Sequence, residues 1–490
     1  MVTIKYDTAY CKVSSESSSE ERLVHDAIDN GLAIRVPGYF FTPAYQKGFW
    51  DGFERYFNRK TGRFPTGLLA RVLRILRDIG VDDAHVVGFP ESWPGWDEIS
   101  EVSLNGITLR DYQTDCIKQI LKYHRGIVKV ATNGGKTEIW AGLMKVLGSP
   151  PSIFYVPRKE IFKQTVDRFE ERLGHPVGMV GDGLWEPNPK GITVVMYHTM
   201  DKVLHSKGPK MKETKKWLKS CYAVAADECH MLSADGYREA FDATGGDFRV
   251  GMSGTPFNKD KAVQRARLIG ATGAVLADVT NKELIERGVS VKPNVLIVTP
   301  RTDPAKAKWI KHQDYRQVIH EHEYRNQAIA TIARAFVRQG MQTMIMVSRT
   351  VHGIAIKEWL EEGVLVTSAT GNRKEVRARL ERGDVFACIC TSIFDTGLSV
   401  DHIQGMINAS EGSSEQTILQ RLGRSVRRPK GYEKNLWFVD FNDVFNEYTK
   451  RHSRDRIDTY IRENAFNIVQ DWRQGPFSDQ DRYELLRLLM

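Results

Sequence analysis

The chain has 490 residues, 41% of them hydrophobic and 27% charged, which excludes a disordered or low-complexity polymer and is too many for one hydrophobic core. A formal net charge of +9 points to a polyanionic partner, because neutralising phosphates releases their counterions; a protein that is merely basic is the plain alternative. The six cysteines form no CxxC pair, the N-terminus has no apolar leader, and no apolar run reaches membrane-spanning length, so a cytoplasmic, thiol-reduced protein with no membrane partner is expected.

Residues 1–97 read as a small α/β domain. Short β-like runs, Val2–Tyr6 and Tyr10–Val13, precede a helix-prone stretch near Ser19–Asn30. Over Leu68–Ile79 the residues Leu68, Leu69, Val72, Leu76 and Ile79 recur at helical spacing, with Arg71, Arg74 and Arg77 on the other side. A linker rich in Pro, Gly and acid follows, "FPESWPGWDEISE". Residues 98–300 alternate strand-like and helix-like stretches, with strands expected at Gly126–Thr132, Ser152–Pro157, Ile192–Tyr197, Tyr222–Asp227 and Phe248–Ser253. Residues 301–442 repeat the alternation, with strands expected at Thr343–Ser348, Val364–Thr367, Phe386–Thr391, Gly405–Ala409 and Asn435–Phe441. Residues 443–490 read as a helical C-terminal extension. The fold class expected is α/β, with two tandem parallel-sheet domains, the small N-terminal α/β domain and the helical tail.

The stretch "VATNGGKTE" joins the first strand of the second segment to a helix. A strand, a Gly-rich turn and a helix N-terminus together surround a phosphate with backbone N–H groups. Lys136 is placed to reach the β/γ-phosphates and Thr137 to bind Mg²⁺. Asn133 stands where glycine is common, but asparagine tolerates positive φ better than most residues. Gly134 and Gly135 permit close backbone approach. An ordinary strand–helix turn is the competing reading of this segment alone.

Four further stretches follow in order. In "AVAADECH", Asp227 and Glu228 close a strand; Asp227 would hold Mg²⁺, partly through water, and Glu228 would deprotonate an attacking water. "MSGTP" carries Ser253 and Thr255 after the next strand, and "TSIFDTGLSV" ends a strand in the following domain. "QRLGRSVRR" puts Arg424 and Arg427 one helical turn apart, on one expected face, suited to charge on a transferring phosphoryl group. Each stretch alone has a structural explanation, an acidic turn or a basic helix face. Their joint order does not.

Together these stretches resemble the motifs of superfamily 2 helicases over about Leu109 to Phe441. The resemblance implies two RecA-like domains with ATP and Mg²⁺ between them. It further implies that "LRDYQ" reads adenine through Gln113 with Arg110 nearby. Thr132, Asn133, Gly134, Gly135, Lys136, Thr137 and Gly397 would then contact ATP. Glu228, Asp227, Lys136, Arg424, Arg427 and Gln420 would be catalytic, with Arg421 close by, and His230, Ser253 and Thr255 would couple hydrolysis to strand movement. DNA contacts are implied for Pro157, Arg158, Gln164, Thr199, Ser348, Arg349 and Thr391. "YFFTPAYQKGFWDG", "TSATGNRKEVR" and "FDTGLSV" are similar to segments of the phage UvsW-type branch-migration helicases. That likeness implies ATP-driven remodelling of branched DNA in recombination, replication and repair, by a protein of the host cytoplasm if phage-encoded.

The DNA expected is branched, or duplex with single-stranded regions, and a monomer is expected. Seven lysines in Lys202–Lys219 suit a duplex-gripping surface or a solvated face equally. In the N-terminal domain Lys47, Phe49, Trp50, Arg55, Arg59, Lys60 and Arg63 interleave aromatic and basic side chains; the basic ones are expected on DNA and Trp50 in the core. The competing functions are an ATP-gated clamp that does not translocate, an RNA helicase, and a restriction-enzyme motor subunit.

Overall fold

Parallel sheets are buried on both faces, so their strands read as short continuous apolar runs rather than alternating ones. The computed structural model describes residues 1–257, 261–302, 316–367, 369–391, 402–428 and 434–489, without the side chains of residues 160, 316, 317, 373, 374, 416 and 424. The chain divides into two units. One is Met1–Val130 with Gly135–Val279, the other Thr280–Met490, with which Ala131–Gly134 is grouped.

In the first unit, an eight-stranded sheet runs in the spatial order Leu184–Glu186, Gly178–Gly181, Ile192–Met196, Ser152–Val156, Ala223–Asp227, Phe248–Ser253, Arg125–Val130 and Val275–Val279. All neighbours are parallel except the edge hairpin of Gly178–Gly181 with Leu184–Glu186. The central strands are buried along nearly their whole length, with Ile153, Tyr155, Val195, Val224 and Ala226 all in one core cluster. The three strands that the apolar pattern did not reveal all lie at or next to the edges, where residues such as Leu184 and Val275 are exposed.

The N-terminal residues of this unit form a four-stranded sheet ordered Arg63–Pro65, Tyr10–Ser15, Val2–Lys5, His85–Val87. Helices Ser18–Leu32 and Leu69–Asp78 cover it, burying Val24, Ile28, Leu32, Val72 and Leu76, while Arg71, Arg74 and Arg77 stay exposed. The N-terminal residues are fixed to the rest of this unit by directed contacts. Arg267 pairs with both carboxylate oxygens of Glu54, at 2.7 and 3.0 Å. Arg125 donates to the carbonyls of Thr8, Ala271 and Thr272 at 2.8–3.1 Å. At Gly67 a Cβ would lie 1.9 Å from the Ile269 carbonyl oxygen, so only glycine permits this approach.

The second unit holds a seven-stranded, all-parallel sheet ordered Val364–Val366, Ala387–Cys390, Thr343–Met346, Gly405–Asn408, Trp437–Phe441, Asn294–Val298 and Asn467–Val469. Asn294–Val298, upstream of the expected boundary at 300, pairs here. The C-terminal segment is not purely helical: Asn467–Val469 adds the edge strand between helices Glu447–Glu463 and Asp479–Leu489. Nor is the segment an appendage. Arg456, in the first of these helices, donates to Asp440 at 3.1 and 3.2 Å, Tyr460 donates to the same carboxylate at 2.5 Å, and Arg325 donates to Asp443 at 2.8 and 3.3 Å. All five side chains are buried, so each charge depends on its partner. Leu485, Leu488 and Leu489 of the last helix complete the core around Ile329, Ile332 and Phe336. No helix among the described residues is long and apolar enough to cross a membrane.

Candidate functional site

In an open parallel sheet, ligands gather beyond the carboxyl ends of the strands. Three adjacent strands of the first unit end level with one another: Asp227 is paired with Met252, and Ser253 with Lys129. Their exits carry the phosphate-loop helix, the acidic pair and the Ser–Gly–Thr turn.

After Arg125–Val130 the chain turns through Asn133 at φ 72° and Gly135 at φ 79°, and the helix Lys136–Val146 begins. The Gly134 N–H donates to the Ala131 carbonyl at 3.0 Å, closing the turn with Thr132 inside it. A Cβ at Gly135 would meet Gln113 Nε2 at 2.2 Å, so the end of the Gln113 side chain lies against the loop. Gln113 is thus buried beside the loop, and its Oε1 accepts the Arg110 N–H at 2.9 Å, capping the helix Asp111–Tyr123. Lys136 and Thr137 are half-buried at the helix N-terminus.

Glu228 is in the left-handed region at φ 47°, which turns the chain sharply after Ala223–Asp227. Glu228 Oε2 accepts from Ser253 Oγ at 3.1 Å and lies 3.4 Å from His230 Nδ1. Ser253 Oγ in turn accepts the Thr255 N–H at 3.1 Å. The residues expected to couple the acidic pair to the next strand therefore form one connected network. Burial and the neighbouring Glu228 charge raise the Asp227 carboxyl above the ordinary range. Burial pushes Glu228 the same way, but the His230 hydrogen bond, the Lys136 and His230 charges and the Ser253 hydrogen bond outweigh it and hold Glu228 low. The result is one carboxylate kept ionised as a proton acceptor and one that gains from a cation. Asp227 Oδ1 is buried without a hydrogen-bond partner among the described residues, which together with the Thr137 hydroxyl is a donor set suited to a hard, oxygen-seeking ion such as Mg²⁺.

Other expected site residues divide by neighbourhood. Pro157 and Arg158 follow Ser152–Val156, and Thr199 follows Ile192–Met196; these strands are adjacent and end in register at Val156 and Met196. Gln164 is exposed one turn further along the helix Lys159–Leu173. All seven lysines of Lys202–Lys219 are exposed, and Lys210 sits over the Trp185 ring at 4.2 Å. In the second unit Ser348 and Arg349 follow Thr343–Met346, and Thr391 follows its neighbour Ala387–Cys390. The Ser348 hydroxyl donates to Glu411. Gly397 lies outside the described residues.

Several expectations are corrected. The helix carrying Gln420 spans Glu415–Ser425 and stops before Arg427, which lies in an isolated bridge opposite Ser290. The helix ends because Lys434 takes the Ser425 carbonyl at 2.6 Å and the Val291 N–H takes the Val426 carbonyl at 2.8 Å. Arg424 and Arg427 thus do not share a helix face, and the Arg424 side chain lies outside the described residues. Arg421 is buried and donates to Asn408 at 3.1 Å, a structural tie. Trp50 is half-buried, not core, with its Nε1 donating to the Phe53 carbonyl at 2.8 Å, while Phe49 is exposed. Arg55 and Arg59 are engaged by Asp51, Asp26 and Asp29, leaving Lys47, Lys60 and Arg63 as the exposed cations of that group without such ion pairs among the described residues. One cluster, His320, His352 and Glu411, has no signal in the sequence, because its spacing along the chain follows no metal-ligand motif.

Comparison with known proteins matches residues 106–258 to the family described as type III restriction enzyme, res subunit, and residues 325–429 to the helicase conserved C-terminal domain. The chain is 24% identical to the ATP-dependent DNA helicase uvsW of Enterobacteria phage T4, over 92% of this chain and 95% of that one. It is 22% identical to the DNA 3'-5' translocase XPB2 of Sulfurisphaera tokodaii, over 66% of this chain and 79% of that one. Among solved structures, the ATP-dependent Type ISP restriction-modification enzyme LlaBIII bound to DNA matches with a TM-score of 0.54 at 14% identity, covering 72% of this chain and 29% of that one, a likeness of fold.

Proposed function

The chain belongs to the superfamily 2 helicases, and from that premise we propose that it is an ATP-dependent DNA translocase that remodels branched DNA. The observation that carries the reading is the level alignment of three strand exits bearing Gly135–Lys136–Thr137, Asp227–Glu228 and Ser253–Thr255, with Glu228 bonded to Ser253. That arrangement suits in-line attack of water on a terminal phosphoryl group.

Lys136 and the backbone N–H groups at the start of its helix bind the β/γ-phosphates. Glu228, held ionised, orients the attacking water and accepts its proton. Thr137 and Asp227 would hold Mg²⁺, which would supply neutralising charge to the phosphates. Gln113 reads adenine, with Arg110 nearby. His230 and Ser253 relay the state of Glu228 to the strand Phe248–Ser253. Arg158, Thr199, Ser348, Arg349 and Thr391 contact DNA backbone, which gives grip without sequence preference. The DNA assignment draws support from the relatives' names, a DNA helicase and a DNA translocase, and branch migration from the first of these resemblances.

The test is steady-state ATP turnover measured with duplex, forked DNA, Holliday junction and single-stranded RNA as stimulators. The reading expects the two branched DNAs to stimulate most. Equal stimulation by RNA favours an RNA helicase, and ATP binding without turnover favours a clamp.

A further inference from the structure

Three segments of the second unit bring His320, His352 and Glu411 together. His320 closes the helical turn Arg316–His320, His352 lies in the helix Thr350–Lys357, and Glu411 follows the strand Gly405–Asn408. One nitrogen from each imidazole and one carboxylate oxygen lie within 4.8 Å of one another. Both histidines are buried, His352 completely, and Glu411 is largely so. Their imidazoles stack with centroids 5.1 Å apart.

The hydrogen bonds around His352 fix its tautomer. Asn326 Nδ2 donates to the His320 carbonyl at 2.8 Å, which sets the amide so that its Oδ1 faces His352 Nε2 at 3.1 Å. An amide oxygen only accepts, so Nε2 carries the proton and Nδ1 presents a bare lone pair. That Nδ1 is buried with no hydrogen-bond partner among the described residues. A histidine whose outer N–H is held by a neighbour and whose other nitrogen is buried and bare, in a cluster with a carboxylate and a second imidazole, is prepared as a metal ligand. Glu411 is likewise held, accepting from Ser348 and lying 3.2 Å from His320 Nε2.

We propose that His320, His352 and Glu411 bind a transition-metal cation of the zinc class, separate from the ATP-associated Mg²⁺. Two imidazole nitrogens and one carboxylate oxygen suit Zn²⁺, whereas Mg²⁺ prefers oxygen ligands throughout. In tetrahedral zinc the ligand atoms stand about 3.3 Å apart, so the three groups close inward by roughly an ångström on binding. The ion would tie the approach to helix Glu323–Arg338, the turn bearing Ser348 and Arg349, and the loop leading to helix Glu415–Ser425 into one rigid node. Its effect is therefore on the stability and order of this unit. The inference stands on the site's own geometry and does not depend on the reading of the ATP site.

The test uses the untagged full-length chain, stripped with chelator, loaded with Zn²⁺, and desalted before metal analysis; Co²⁺ replaces Zn²⁺ for a visible spectrum. The wild type is expected to retain about one equivalent of zinc and to melt at higher temperature when loaded. His352→Ala and Glu411→Gln are expected to lose both the retained ion and the tetrahedral cobalt bands. Glu411→Gln keeps the size of the side chain and one oxygen to accept from Ser348, so it reports on the site even where the alanine variant folds poorly. A wild type that retains no zinc, or variants that retain as much as the wild type, overturns the proposal and leaves the cluster as a hydrogen-bonded Ser–Glu–His network.

Discussion

Ser253 Oγ donates to Glu228 Oε2 at 3.1 Å, joining the end of one strand to the turn that leaves its neighbour. The same oxygen lies 3.4 Å from His230 Nδ1, so a change in charge or position at Glu228 reaches both. Removing the hydroxyl in Ser253→Ala deletes a hydrogen bond to a charged group, worth about 1.5–3 kcal/mol. ATP turnover is expected to fall by roughly tenfold, and DNA strands displaced per ATP to fall further. Parallel measurement of phosphate release and strand displacement checks this, and an unchanged ratio between them contradicts the relay.

Glu228→Gln keeps the shape of the side chain and removes its basicity. Turnover is expected to drop by about 10²–10⁴-fold while nucleotide binding persists. Lys136→Ala is expected to weaken binding as well as turnover. Equilibrium binding of a fluorescent ATP analogue beside phosphate release separates the two behaviours.

Gly135→Ala tests the turn itself. The residue is at φ 79°, which a Cβ strains, and the end of the Gln113 side chain would have to move aside. The strain is expected to cost about 1–3 kcal/mol and to abolish nucleotide binding. A variant that melts and binds as the wild type does contradicts this role for Gly135.

How much of this was legible in the sequence follows from what each signal depends on. The phosphate loop was readable because its backbone geometry favours particular residues over a few positions, as the φ values of Asn133 and Gly135 show, and the acidic pair because its chemistry needs adjacent carboxylates at a strand end. The central strands were readable because burial on both faces makes them apolar throughout. The edge strands Leu184–Glu186 and Val275–Val279 were not, since exposure removes that pattern. Asn467–Val469 is three residues long inside a helix-prone tail and gave no periodic signal. The position of Arg427 depended on a contact distant in sequence, the Ser290 segment, which no local pattern encodes. The His320–His352–Glu411 cluster is likewise made only by tertiary folding.

The helix Glu447–Glu463 contributes Arg456 to a buried ion cluster with Asp440 and Asp443. Arg456→Leu leaves Asp440 buried without its cationic partner, an expected loss of about 3–5 kcal/mol. Urea denaturation followed by tryptophan fluorescence checks it. A change within error of zero would mean that the tail is dispensable to the second unit.

Stability is expected to fall with acidification, and His124 contributes to that slope. It is buried and stacked on Phe248 at 4.4 Å, and burial lowers its pKa below the ordinary value. The unfolded chain then takes up a proton that the folded chain resists, so stability present above about pH 6.5 is lost as pH falls through the folded value. Burial likewise lowers His352 and His452, so the wild-type slope alone does not isolate one residue. His124→Asn, which suits the left-handed φ of 61°, is expected to flatten the difference in urea midpoint between about pH 7.5 and about pH 5.5. An unchanged slope would remove His124 from the account.

The most direct test is branch migration of a mobile Holliday junction, followed in real time by fluorescence with wild type and Glu228→Gln at matched DNA occupancy. The account predicts ATP-dependent migration by the wild type and none by the variant, although both bind the junction and both bind ATP. Migration by the variant at the wild-type rate, or wild-type migration indifferent to ATP, would contradict it.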